Sequence, residues 1–456
     1  MKDLIVIGAG PAGYPAAIRA AQLGADVLVV DRGERPGGTC LNWGCIPTKT
    51  LLHMAEKYHA IRIAGKYGIE SSGVDVNWEK MITESRKVVR KLGKGIEGLF
   101  KKNNIDYIQD TARIVDSGKI ETDSGKTFEA ERILIATGAK PLSVGGIEPN
   151  GNRIMTSREA LSLKNRPESL LVIGSGAIGI EFASFYNTFG SEVTVVEMKD
   201  RILPVEDEEI SEQLEKELTD QGIKILTATK VKEVSQEEKT VKVETENGEP
   251  LKADAALIAL GVQPARDNLW SSDLEIKSDE RGWIEVDSEY QTSLEGVYAA
   301  GDITGAPWLA HAATHEGIEM VEKAFEAHKE SSLPEVIPAC TFCRPQVGSA
   351  GLTEKEALEE YEQVRVGKFP FKALGRTVAS DETEGFVKLV FAGKYDQLVG
   401  AHVLGSEASE LIATLAVSIR MEVTPGELVS TVFAHPTRSE AIHEAALFAL
   451  ERPLHI

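Results

Sequence analysis

The sequence predicts an α/β protein built on two doubly wound, nucleotide-binding units, with a further domain beyond them. Three observations predict it. A strand–glycine turn–helix–strand–acid unit occurs twice with equal spacing. Two apolar strands downstream of these units echo each other. The chain, at 456 residues, is longer than one ordinary core can bury.

The first unit reads DLIVIGAGPAGYPAAIRAAQLGADVLVVD and the second SLLVIGSGAIGIEFASFYNTFGSEVTVVE. Gly8, Gly10 and Gly13 align with Gly174, Gly176 and Gly179. Gly24 and Gly190 each follow 16 residues after the first glycine, and Asp31 and Glu197 follow 23 residues after it. The first glycine permits the tight turn, the second lets a pyrophosphate approach the backbone, and the third lets helix and strand pack closely. Phosphates sit on the helix N-terminus, and the acid accepts from a ribose hydroxyl. One such triplet is weak evidence, but two complete units predict two Rossmann-like dinucleotide sites. Pro11 suits the first helical position; Pro15, a turn further in, removes a donor and predicts a small distortion.

The echoing strands are ERILIATGAKP, with Thr137, Gly138 and Pro141, and DAALIALGVQP, with Gly261 and Pro264. Each is expected to close its nucleotide domain. A later strand, GVYAAGDIT, ends at Asp302, where ligands of doubly wound sheets bind. A plain turn after a strand is the alternative there.

Directly after the first unit comes Gly37-Gly38-Thr39-Cys40-Leu41-Asn42-Trp43-Gly44-Cys45-Ile46-Pro47-Thr48-Lys49. Four cysteines in the chain cannot form a structural disulfide framework, so Cys40 and Cys45 read as redox chemistry. Two buried apolar cysteines would be the reading without the neighbouring nucleotide unit. A dithiol passing electrons to a nicotinamide needs a mediator that accepts thiolate attack and donates hydride. That places FAD in the first site and the nicotinamide nucleotide in the second. Glu197 favours NAD over NADP, although Lys199 and Arg201 lie nearby. Residues five apart on a helix have Cα atoms roughly 8 Å apart, too far for a disulfide. An irregular helix start is therefore expected near Asn42 to Gly44, with Cys45 at a helix N-terminus that favours its thiolate. Lys49, four residues on, faces the same side.

The C-terminal AHPTRSEAIHEAALFAL offers His435 as proton acceptor and Glu440 as its partner. Thr437-x-x-Glu440 also reads as a capping box. Both roles of Glu440 coexist only if different oxygens serve each. Cys340 and Cys343 form a CxxC without a second ligand pair for zinc; they read as small apolar residues on a strand, with a second redox pair as the alternative.

The net charge of −21 argues against nucleic acid and anionic membranes. No run of 18 apolar residues spans a membrane. The first strand begins by Asp3, which leaves no room for a targeting peptide. The expected compartment is the cytoplasm, and no metal site is expected.

GGTCLNWGCIPTK, the paired glycine units, AAGD and HPTRSE together resemble the pyridine nucleotide–disulfide oxidoreductases over essentially the whole chain. The resemblance implies an α/β fold of FAD and NAD domains followed by an α+β interface domain that dimerises. The expected limits are 1–147 for the FAD domain, 148–264 for the NAD domain, 265–337 for a central extension of the FAD domain and 338–456 for the interface domain. It implies that Cys40 meets a dithiol substrate, that Cys45 lies against the flavin, and that His435, oriented by Glu440, is the acid/base supplied by the other subunit of a homodimer. It places Lys49 and Glu181 beside the flavin, Asp302 at the ribityl chain, and Ala310 at a helix start near the flavin. Ala112 resembles an adenine-side contact, and Val231 and Gly261 contacts on the NAD side; Gly38, Thr39, Thr137 and Gly138 join the FAD set. The implied substrates are lipoyl-bearing domains or free dihydrolipoamide, with the core acyltransferase of a 2-oxoacid dehydrogenase complex as partner. Rivals within the family are glutathione- and mercuric-reductase-like activities. Glu197 argues against the NADP of the first, and the ending ERPLHI lacks the cysteine pair of the second. A redox-inactive, FAD-binding assembly subunit is the rival from another class. One departure is CTFCRPQVGSAGLTE, where many members carry a Tyr-Thr-x-Pro-Glu-Val run.

Overall fold

The computed structural model describes residues 1–70, 72–246, 248–327 and 336–456. Its first sheet grows from β1 (Lys2–Ile7), which is flanked in parallel by β2 (Val27–Asp31). Both read as near-continuous apolar runs because both faces are covered, one by helices and the other by a layer that includes Ala112, Ile114, Ile120, Leu269, Ile276 and Ile284. Beyond β2 lies β3 (Asp106–Gln109). The strands β4 (Ala112–Asp116) and β5 (Lys119–Thr122) form an antiparallel extension. Strand β6 (Thr127–Ile135) joins the two parts: it runs parallel to β1 and antiparallel to β5. The strand Val297–Ala299 pairs in parallel with the end of β6, Val297 opposite Ile133, which brings Asp302 to this sheet's carboxyl edge.

The helices of this first unit lie between its strands. Helix α1 (Gly13–Gln22) packs its alanines against the sheet. It starts later than the proline pattern suggests. Pro11 lies outside it, and Pro15 falls in its first turn, where backbone donors have no intrahelical partner anyway. The expected distortion at Pro15 is therefore unnecessary. Helices α2 (Gly38–Trp43) and α3 (Cys45–Ile63) are separated by Gly44, whose φ of −137° and ψ of −112° leave helical geometry. The long α4 (Trp78–Lys102) buries Ser85, Val89, Gly93, Ile96 and Phe100 along one stripe.

The second glycine unit builds its own five-stranded parallel sheet, centred on Ser169–Ile173. Its helix, Ala177–Thr188, is almost wholly buried. A three-stranded antiparallel sheet, beginning at Val231, stands beside it. The two echoing segments meet: Ala139–Pro141 pairs antiparallel with Val262–Pro264.

The C-terminal region is a five-stranded antiparallel sheet with helices Ala408–Arg420 and Glu440–Ala449 against it. Its strand Phe386–Ala392 is buried throughout. Lys388 on that strand is 1% exposed and reaches Asp207 at 2.9 Å, Glu209 at 2.8 Å and Glu354 at 2.6 Å. This buried ion cluster ties the second nucleotide unit to the C-terminal sheet. Among the described residues, no helix is long and apolar enough to cross a membrane. The stretch 328–335, the end of the expected 265–337 extension, lies outside the described residues.

Candidate active site

The two glycine turns are built alike. Gly8 has φ +105°, and a Cβ there would stand 2.3 Å from the Ala136 carbonyl oxygen. Gly174 has φ +99°, and its Cβ would stand 2.4 Å from the Ala259 carbonyl oxygen. Only glycine fits either place. A Cβ on Gly13 or Gly179 would strike the carbonyl of the first glycine of its own unit. Gly176 faces open space, as a pyrophosphate cradle requires.

Each acid braces its turn. Asp31 accepts from the Ala9 N–H at 2.5 Å and the Gly33 N–H at 2.6 Å. Glu197 accepts from the Ser175 N–H and hydroxyl, both at 2.8 Å, and from the Lys199 N–H at 2.8 Å. Arg201 turns away to pair with Glu208 at 2.7 Å.

Cys40 lies on α2 and Cys45 opens α3; all four cysteines are thiols. The helix breaks between the pair, where the five-residue spacing demands irregularity. A hydrogen bond from Cys40 and the ammonium of Lys49 hold Cys45 below the usual thiol range against its burial. The same bond, with burial, pushes Cys40 up. One thiol is thus set to ionise and the other to keep its proton. Burial and the neighbouring Cys40 push Tyr14 up as well, which puts a phenol beside the outer thiol.

Lys49 Nζ sits 2.8 and 2.9 Å from the two oxygens of Glu181. Glu181 is 4% exposed and also accepts from the Phe342 N–H at 2.9 Å. The Lys49 ammonium lies 4.5 Å from the centre of the Phe342 ring. The CTFC segment, which departs from the family pattern, therefore supports this ion pair directly. Its cysteines diverge into separate hydrophobic cores: Cys343 is buried, with its thiol directed at the Pro345 carbonyl at 3.0 Å. They are strand and loop residues of ordinary apolar kind. Among the described residues, no group of three metal-binding side chains occurs.

The remaining candidates line the first sheet's carboxyl edge and the second unit's rim. Thr137 carries a buried hydroxyl without a hydrogen-bond partner, and Gly138 beside it has φ +71°. Asp302 opens a short 3₁₀ turn, and burial pushes its carboxyl up to about 6. A polyol bound there would give the Thr137 hydroxyl a partner and the buried Asp302 carboxyl further donors, so the residues present fit a flavin nucleotide. Ala112 begins β4 and is buried. Ala310 is the first residue of helix Ala310–Ala324, whose N-terminus favours negative charge. Val231 begins its strand, and Gly261 has φ +107° with open space around it. Thr39 is exposed on α2. A Cβ on Gly38 would stand 2.6 Å from the Gly10 Cα.

His435 and Glu440 form a separate pair. His435 Nδ1 lies 2.9 Å from Glu440 Oε1, while Glu440 Oε2 accepts from the Thr437 N–H at 2.8 Å. Different oxygens serve the two partners. The helix starts at Glu440 itself and receives no side-chain cap, so the capping box is only half formed. Burial works against ionisation of Glu440, but the Thr437 N–H and His435 win and hold it below its usual range. The His435 side chain is 78% exposed, on the surface rather than in a cleft of its own chain.

Some participants escape sequence reading. Glu316 accepts from the Gly301 N–H at 2.6 Å and fixes the turn before Asp302; the signal is an acid on the apolar face of a helix. Phe342 and Tyr14 carry no such signal.

Residues 2–317 match the pyridine nucleotide-disulphide oxidoreductase family, and residues 337–446 match the dimerisation domain of that family. The chain belongs to this family: it is an FAD- and NAD-dependent oxidoreductase that works as a homodimer. Its relatives include the dihydrolipoyl dehydrogenase of Zymomonas mobilis, 43% identical over 99% of both chains, and that of Bacillus subtilis, 38% identical over 99% of both. Among solved structures, LpdA of Mycobacterium tuberculosis superposes with a TM-score of 0.90 at 28% identity, covering 97% of this chain and 99% of that one. The flavoprotein disulfide reductase RclA of Escherichia coli follows with a TM-score of 0.87 at 29% identity, over 96% and 98%.

Proposed function

We propose that the chain is a dihydrolipoyl dehydrogenase, oxidising dihydrolipoyl groups and reducing NAD to NADH. The observation that carries this is the thiol pair: Cys45 at a helix start, lowered by Cys40 and Lys49, with Cys40 held in its protonated form beside it. The division into residues 1–147, 148–264, 265–337 and 338–456 is retained as the working domain scheme.

In the oxidised enzyme Cys40 and Cys45 form the disulfide. A substrate thiolate attacks Cys40 Sγ, and Cys45 leaves as the thiolate its surroundings favour. The second substrate thiol, deprotonated by His435 of the partner subunit, attacks the mixed disulfide and releases Cys40. The substrate is then a disulfide, and the two electrons rest on the Cys40–Cys45 pair. FAD, when bound, would supply the two-electron relay from this pair to NAD. Lys49 and Glu181 hold fixed charge at the flavin. Glu440 keeps the Nδ1 proton of the imidazole in place, leaving Nε2 free for the substrate proton. Gly8, Gly10, Gly13, Asp31, Gly38, Thr39, Ala112, Thr137, Gly138, Asp302 and Ala310 hold FAD. Gly174, Gly176, Gly179, Glu197, Val231 and Gly261 hold NAD.

Lipoyl-bearing domains are the working substrate, brought by the core acyltransferase of a 2-oxoacid dehydrogenase complex. A disulfide that opens and closes in turnover suits the reducing cytoplasm. Titration of the purified holoenzyme with dihydrolipoamide, following NADH formation and free thiols, tests the proposal. NADH should form in step with dithiol consumed; reduction of glutathione disulfide or Hg(II) in preference would overturn it.

A further inference from the structure

Helix α4 is a basic surface on an acidic protein. The chain carries a net charge of −21, yet α4 holds eight Lys and Arg against three Glu. Arg86, Arg90 and Lys94 recur every fourth residue, with Lys87 and Lys91 one residue on. Arg86, Arg90 and Lys94 flank the buried stripe of Ser85, Val89, Gly93 and Ile96, and Lys87 and Lys91 lie on the side away from it. Arg90, Lys91 and Lys94 are exposed. Among the described residues, the only ion pair made by an α4 cation is Lys87–Glu84.

This surface begins at the redox loop. Arg86 donates to the Asn42 carbonyl at 2.7 Å, and its guanidinium lies 4.7 Å from the centre of the Trp43 ring. Arg158, from the helix Ser157–Ala160, lies 4.3 Å from the same ring. Asn42 and Trp43 stand between Cys40 and Cys45, and Leu41 packs into the core that holds Ile96 and Phe100 of α4. Arg35 lies against Gly93. Arg86 Nε is buried without a hydrogen-bond partner. Burial and the repulsion of Arg90, Arg158 and Arg35 depress the Arg86 guanidinium, so these cations crowd one another around Arg86.

We propose that the basic face of α4, with Arg158, docks the acidic surface of a lipoyl-bearing protein and guides its dithiol to Cys40. This rests on the dihydrolipoyl reading of the thiol pair and adds where the carrier sits. A free dihydrolipoamide is uncharged and gains nothing from this row of cations. A carrier domain with carboxylates around its lipoyl-lysine is steered and held by them, while the rest of the enzyme's surface repels it.

The test compares two substrates on the holoenzyme: free dihydrolipoamide and an isolated, reduced lipoyl domain of net negative charge. The variants are Arg90→Glu with Lys94→Glu, and the milder Arg90→Gln with Lys94→Gln. Neither residue touches the thiols or a nucleotide site. The expected result at low ionic strength is a loss of kcat/KM for the lipoyl domain on the order of tenfold for the charge reversal, smaller for the amides, with a flatter salt dependence. Turnover of free dihydrolipoamide should stay within about twofold of the parent. Equal losses on both substrates, or none on the domain, would overturn the docking surface. A parent enzyme that fails to oxidise free dihydrolipoamide would instead overturn the proposed activity.

Discussion

At the scale of single residues, the site separates tasks that need opposite chemistry. Cys45 must leave as an anion and Cys40 must be reachable, and the helix break at Gly44 gives each its own backbone. Cys45→Ser should lower dihydrolipoamide-dependent NADH formation by at least about a thousandfold, while Cys40→Ser should keep a thiolate at position 45. Alkylation followed across pH would check this: in Cys40→Ala, which leaves no donor at position 40, the Cys45 thiol should lose its hydrogen bond, so its reactivity should rise at higher pH than in the reduced parent. Glu440→Gln should leave the fold intact, because Thr437 N–H can still be accepted by the amide oxygen. Its turnover should fall by roughly tenfold to a hundredfold as His435 loses the carboxylate that orients its ring. Buried Glu206, with burial as the main cause and Asp207 adding to it against a Ser349 hydrogen bond, is pushed up to about 7. A carboxyl raised on folding stabilises most below its unfolded value and loses that contribution as pH rises through 7. Melting temperature measured from pH 5 to 8 should therefore decline more steeply in the parent than in Glu206→Gln.

At the scale of elements, the legible parts were those that chemistry writes locally. A tight turn meeting a neighbouring carbonyl at 2.3 or 2.4 Å admits only glycine, so Gly8 and Gly174 announce themselves. The break between α2 and α3 follows from the five-residue spacing of two thiols. Elements that depend on distant partners left no local trace. Trp43 reads as one more aromatic until Arg86 and Arg158, 43 and 115 residues away, close on it. Lys388 reads as a polar interruption of a buried strand until Asp207 arrives from 181 residues earlier. The start of α1 was misjudged for a subtler reason: two prolines compete for the first turn, and the later one wins because Gly10 and Ala12 carry the turn before it. The twin turns also give a clean separation. Gly174→Ala should weaken NAD binding strongly while flavin content stays near the parent's, whereas Gly38→Ala, clashing with Gly10, should lose flavin. Flavin absorbance per chain and NADH titration distinguish the two.

At the scale of the whole molecule, the regions are held by few but costly contacts. Lys388→Met would leave the carboxylate of Asp207 buried and unpaired, and should destabilise the folded protein by about 3 kcal/mol or more, read from chemical denaturation. The pair proposed as acid/base, His435 and Glu440, stands on the surface of its own chain, so activity should fall with dimer dissociation on dilution before secondary structure is lost. The ribbon formed by Ala139–Pro141 and Val262–Pro264 carries a different consequence. The chain leaves the first sheet along one of its strands and comes back along the other, so 120 residues begin and end at a single doorway. Such a passage behaves as a cassette socket. A foreign module whose ends lie a strand's width apart could be spliced there without redrawing the flavin half, and natural selection has the same freedom to exchange the electron acceptor while leaving the thiol chemistry alone.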